Sequence, residues 1–238
     1  MSPDHNRRTT IRRLAIPTLA LVLVAGACSD DDTDLDAAAC DAYADVGASF
    51  FGDPAEVPGL LDALEAAMPA SLQDDATTYA DAMTASFEGD EAAMADPAFL
   101  EASDALGAAV YDGCDSTEKL DVAGIDYGYE GIPSEIDAGR VAIRFTNETE
   151  LDEAHEMFVA RKADGVTESL SELLALPEDE AMSKIIPTAV VFSDTPGGEA
   201  TTLVDLEAGE YLAFCMIPTV DDGAPHASHG MATAFTVS

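Results

Sequence analysis

Four side chains in the second half of the chain are of types that do metal chemistry when they converge: His155, Cys215, His226 and Met231. A thiolate and two imidazoles form a trigonal donor set suited to copper in both oxidation states, and a thioether adds a weak axial ligand that helps tune the potential. The chain has 4 histidines; beyond His5 they are His155, His226 and His229, gathered in sequence around Cys215 and Met231. His229 is the alternative to His226 as the second imidazole. Taken singly, each residue has a plain reading: a strand cysteine is usually a small buried hydrophobe, and a methionine is usually core. Nothing else in the chain suggests chemistry. No Ser-His-Asp grouping has supporting motif context, and among 47 acidic residues no catalytic carboxylate pair stands out. Gly197-Gly198 is a turn without a phosphate-loop setting, and Asn147-Glu148-Thr149 is a glycosylation sequon by pattern only. The chain is therefore not read as an enzyme.

The elements that must position these residues are strands. Val141, Ile143 and Phe145 alternate with Ala142, Arg144 and Thr146; Met157 and Val159 follow; then come 189–192, 202–206, 211–217 and 232–237, separated by Gly, Pro and Asp. This is the pattern of a β-sandwich. Residues 167–186 interrupt it, and Thr167, Leu170, Leu173, Leu174, Met182 and Ile185 predict one or two short helices between strands. Tyr211 follows a Gly turn and precedes Cys215 by four residues, a placement that fits a tyrosine corner.

The order of motifs resembles the cupredoxins of the plastocyanin and azurin kind. The residues that carry the resemblance are Ala138-Gly139, a strand to Asn147, then His155; Ala208-Gly209-Glu210-Tyr211, then Cys215; and His226 followed five residues later by Met231. It covers essentially all of 119–238. It implies a Greek-key β-sandwich holding one type 1-like copper ion on His155, Cys215, His226 and Met231. Such a site serves one-electron transfer; Met157 and Met216 add soft donors that would instead suit copper storage or delivery, and a metal-free interaction module is the third reading. One departure stands out: ten residues, 216–225, separate Cys215 from His226, where the family has only a few.

The first 27 residues carry Arg7, Arg8, Arg12 and Arg13, an apolar run from Leu14 to Val24, and the small residues Ala25, Gly26 and Ala27 before Cys28. This is the layout of a secretory signal. Because a cysteine follows directly, the stretch resembles a lipoprotein lipobox, which implies a lipid on Cys28 and an anchor at the outer face of the cell membrane. Residues 28–39 read as the lipidated cysteine and an acidic flexible linker. Export exposes thiols to oxidising surroundings. With Cys28 assigned to lipid and Cys215 in a different context, Cys40 and Cys114 are left to pair, stapling the ends of the segment between them.

That segment, 40–118, has helical apolar spacing: Tyr43, Val46 and Phe50; Leu61, Leu64 and Met68; Leu72, Tyr79, Met83 and Phe87; Phe99, Leu106 and Val110. Asp53-Pro54 and Asp96-Pro97 mark helix starts, and Ser71 with Asp74 approximates a capping box. A small four-helix unit followed by the sandwich makes the fold class α + β. Four of the 10 basic residues and one of the 47 acidic ones precede Cys28, which leaves 6 basic against 46 acidic side chains in the mature chain. Such a balance excludes nucleic acid as a partner. It steers the chain instead toward a redox or copper-handling protein with a basic docking surface.

Overall fold

The computed structural model describes residues 35–90 and 92–238. The signal-like segment, His5, Cys28 and the linker up to residue 34 lie outside the described residues.

Four helices come first: α1 (Ala37–Ser49), α2 (Val57–Ala67), α3 (Gln73–Phe87) and α4 (Pro97–Gly113). Asp36 caps α1 by accepting from the Ala39 amide at 2.9 Å, and Asp96 caps α4 by accepting from the Ala98 amide at 2.8 Å ahead of Pro97. The expected start at Asp53-Pro54 is instead a turn, with α2 beginning at Val57. At the start of α3 the N-cap position falls on Leu72, which offers no side-chain acceptor. A complete capping box forms at Ser169 and Glu172. Cys40 and Cys114 are joined by a disulfide, with Cα atoms 5.8 Å apart and a sequence separation of 74.

The strands follow. β1 (Glu118–Ile125), β2 (Gly128–Glu130), β4 (Gly139–Asn147) and β7 (Glu199–Leu206) form one sheet in the order β2-β1-β4-β7. The other sheet runs β3 (Glu135–Ile136), β9 (Ala232–Val237), β8 (Gly209–Phe214), β5 (His155–Lys162), β6 (Ile185–Ser193). β1 pairs parallel with β4 and β3 with β9, whereas the other pairs are antiparallel, so the sandwich is mixed. The chain crosses between sheets from β2 to β3, β3 to β4, β4 to β5, β6 to β7 and β7 to β8. Val122, Ile143 and Phe145 from one sheet meet Met157, Val159, Tyr211 and Phe235 from the other in the enclosed core. The Tyr211 hydroxyl donates to the Glu207 carbonyl at 3.0 Å, which is the tyrosine-corner bond its position called for.

Both outer faces are covered. The helices and the outer face of the four-stranded sheet share one core, in which Ala142 of β4 and Leu203 of β7 pack among Tyr43, Val46, Leu106 and Val110. The Tyr43 hydroxyl donates to the Thr201 carbonyl at 2.8 Å, and Arg140 on β4 bridges Asp41 on α1 at 2.6 Å. Phe50 and Phe87, which share the helical spacing of core residues, remain exposed and lean on one another. On the far side, α5 (Leu170–Leu174) and α6 (Glu178–Met182) form the expected excursion, and Leu173 packs with Ile185, Leu212, Phe214 and Ala227. β8 is thus buried on both faces, which is why 211–215 reads as a continuous apolar run.

Candidate metal centre

Ladder registers bring the distant donors to one end of the sandwich. β5 runs antiparallel to β8 with Phe158 opposite Phe214, and β8 runs antiparallel to β9 with Phe214 opposite Ala232. The start of β5, the end of β8 and the approach to β9 therefore share an edge. His155 is the first residue of β5, Cys215 lies one past β8, and Met231 lies one before β9. Cys215 donates its amide to the Met231 carbonyl at 3.1 Å, continuing the ladder beyond the strands.

His226 opens a 3-10 turn, His226–His229, and completes the group. His155 Nδ1 and His226 Nδ1 are 3.0 Å apart, and Cys215 Sγ lies 3.4 Å from His226 Nδ1. All three residues are buried, with donor atoms within 4.8 Å of one another. Metal–nitrogen bonds near 2.0 Å and metal–sulfur bonds near 2.3 Å put the donors around one ion roughly 3 to 4 Å from each other. The spacing fits one ion. Burial pushes the Cys215 thiol up to about 11, and it holds both imidazoles below the usual histidine range. At neutral pH the three groups are uncharged donors withdrawn from water, ready to be neutral-imidazole and, on loss of one proton, thiolate ligands. The donor set fits a single type 1-like copper ion. Met231 is fully buried, and its amide donates to the His226 carbonyl at 3.1 Å. His229 is turned away: its Nε2 faces Asp222 at 3.3 Å on the surface.

The long loop before His226 returns because it is a small hairpin of its own. Pro218 and Pro225 form an isolated bridge, Thr219 donates its amide to the Ala224 carbonyl at 2.8 Å, and Asp222 accepts from the Thr219 hydroxyl at 2.7 Å and the Ala224 amide at 2.9 Å. Gly223 supplies the left-handed residue at φ 73°. His226 donates its amide to the Ile217 carbonyl at 2.9 Å, and two carboxylates from the β5 side tie the loop down. Glu156 accepts from the Met216 amide at 2.8 Å and Glu153 from the Val220 amide at 2.9 Å. The extra residues close on themselves, so His226 lands beside Cys215.

Several contributors carried no signal that separates them from their background. Glu153 is one acid among 47 in the sequence, yet its Oε2 lies 3.1 Å from His226 Nε2. Tyr127, in the β1–β2 turn, sets its ring edge-on to His226 at 5.5 Å between centroids and near His229 at 5.2 Å. It does so with φ at 56°, in the left-handed region. Gly124 leaves room that a Cβ would take: one there would stand 2.6 Å from the Phe145 ring and 3.2 Å from Met231 Cε. Asn147, the sequon residue, is fully buried and spends its Nδ2 donating to the Glu153 carbonyl at 3.0 Å. That burial removes it as a glycosylation acceptor.

No family model matches the chain, and no curated protein does. Among solved structures, the dithionite-reduced auracyanin of the photosynthetic bacterium Roseiflexus castenholzii is 21% identical, with 52% of this chain and 99% of that one covered at a TM-score of 0.34. Auracyanin A, a blue copper protein of the green thermophile Chloroflexus aurantiacus, is 18% identical over 50% of this chain and 98% of its own, at 0.29. A rusticyanin variant is 18% identical over 52% and 80%, at 0.35. The described chain is thus helical in its first part and a mixed β-sandwich in its second, with cupredoxins among its structural neighbours.

Proposed function

We propose that this protein binds one copper ion through Cys215, His155 and His226, with Met231 as the axial thioether, and exchanges single electrons with a partner protein. The convergence of three buried donor atoms within 4.8 Å, drawn from sites 60 and 71 residues from His155, carries the reading. A bound copper ion supplies a one-electron couple at this point. The chain's own part is to hold the donors on ladder backbone at the closed end of a packed sandwich, so that the same geometry serves both oxidation states. The protein is a carrier and not an enzyme in this reading.

The lipobox pattern at Cys28 supports anchoring at the outer face of the cell membrane. Among the described residues no helix is long and apolar enough to cross a membrane. The net charge of −37 favours a partner with a basic docking surface, engaged by steering that salt weakens.

Titration of purified protein with Cu(II), read by visible absorption and voltammetry, tests the function. One equivalent of copper with an intense thiolate-to-copper band and a reversible one-electron wave is expected, and Cys215→Ser should lose the band. Tight Cu(I) uptake without a reversible wave would assign storage or delivery instead; failure to take up stoichiometric copper would overturn the metal reading.

A further inference from the structure

We propose that Glu153 is the positioning residue of the metal centre: its carboxylate accepts the proton on His226 Nε2 and so leaves Nδ1 bare toward Cys215 and His155. The part of this that concerns copper rests on the function proposed above; the part that concerns the imidazole does not.

Glu153 is placed by one backbone bond and two carboxylate contacts. Asn147, at the end of β4, holds the Glu153 carbonyl through its Nδ2 at 3.0 Å. Oε1 accepts from the Val220 amide in the long loop at 2.9 Å. Oε2 is left facing His226 Nε2 at 3.1 Å; the approach is not aligned as a hydrogen bond, and neither of those two buried atoms has a hydrogen-bond partner among the described residues, so each is the nearest group that can satisfy the other. The His226 side chain is fully buried and that of Glu153 only 10% exposed, so no water competes for the pair.

A neutral imidazole carries one proton on one of two nitrogens. On Nδ1 it would point at the other donors and leave the Nε2 lone pair against a carboxylate oxygen, two acceptors facing each other out of water. On Nε2 it meets the carboxylate, and Nδ1 becomes the acceptor for the His155 Nδ1 proton 3.0 Å away. The second arrangement gives both His226 nitrogens a partner, leaves only His155 Nε2 without one, and prepares His226 to ligate through Nδ1. Metal-bound histidines are generally oriented by a carboxylate or carbonyl on the far nitrogen. Here one side chain supplies that carboxylate and also clamps the loop that delivers the histidine. Glutamine cannot replace it fully: an amide oriented to accept from Nε2 turns its own N–H groups toward the Val220 amide.

Long-range proton–nitrogen NMR of the metal-free wild-type protein reads the tautomer directly. The His226 proton is expected on Nε2 at neutral pH, and on both nitrogens in Glu153→Ala; a wild-type proton on Nδ1 overturns the proposal without any variant. In the copper-loaded protein, removing the carboxylate charge should raise the reduction potential, because a nearby anion stabilises the more oxidised ion. Glu153→Gln is therefore expected to keep the thiolate-to-copper band but shift to a higher potential with altered electron paramagnetic resonance. If Glu153→Gln loads copper with wild-type potential and spectrum, Glu153 has no positioning role. If wild type takes up no copper, the function fails while the tautomer measurement still decides the proposal.

Discussion

Cys215 shows how much of the site's behaviour is set by desolvation. Its thiol, buried against the sandwich end, is held at about 11, so below that pH copper uptake has to expel the thiol proton. In weakly buffered solution near neutral pH, copper addition should therefore release about one proton per ion. Cys215→Ser should abolish that release. The same burial shapes the stability of the metal-free protein. His155 and His226 lie below their unfolded value of 6.5, chiefly through burial, so their contribution is complete above that pH and is lost as pH falls beneath it. Cys215 is raised from 9.0, so its contribution is complete below 9.0 and fades as pH climbs toward 11. Thermal midpoints of apo protein should hold steady between those limits with respect to these groups. The alkaline decline should be smaller in Cys215→Ser than in wild type.

At the scale of elements, the β1–β2 turn and the 216–225 hairpin enclose His226 from two sides. Tyr127 keeps a left-handed backbone to set its ring against that histidine. Such a conformation costs a residue with a Cβ about 1 to 2 kcal/mol. Tyr127→Gly loses the ring and relieves the backbone, whereas Tyr127→Ala loses the ring alone. Glycine should therefore be the more stable of the two by about 1 kcal/mol in denaturant unfolding, and both should expose His226. Gly124 sits under the opposite constraint: Gly124→Ala forces the Phe145 ring and Met231 apart from a Cβ placed 2.6 Å and 3.2 Å away. Overpacking of this kind typically costs about 1 to 3 kcal/mol, and a shifted visible band in the copper-loaded protein would report displacement of Met231.

For the whole molecule, the helical part and the sandwich are bound by a shared core and strand–helix contacts, while the Cys40–Cys114 disulfide closes the helical part on itself. Leu203, on β7, lies 2% exposed among helix residues. Leu203→Ala should cost about 2 to 5 kcal/mol and should lower one unfolding transition that helical and strand signals report together. Opening the Cys40–Cys114 bridge frees a long loop and should cost about 4 kcal/mol. Calorimetry with and without reductant checks this, and a second, separate transition would show that the helices and the sandwich unfold independently. The net charge of −37 adds self-repulsion throughout, so moderate salt should raise the thermal midpoint.

The sequence by itself determined the local features. Alternation over 141–145, helical spacing from Tyr43 to Val110, the Asp96-Pro97 cap, the Tyr211 corner and the donor types at His155, Cys215, His226 and Met231 all depend on neighbours a few residues away, which is the range over which side-chain period and turn chemistry act. Only the tertiary structure brings His226 and not His229 beside Cys215 and His155, because that placement rests on a hairpin whose ends are tied to Glu153 and Glu156 across 60 residues and more. It alone singled out Glu153 from an acidic background, exposed Phe50 and Phe87 despite their helical spacing, and laid α1 and α4 on the outer face of β4 and β7. The reason is one of distance. Pairing register and the burial of shared faces bring remote residues together, and no short window of sequence contains both partners of such a contact.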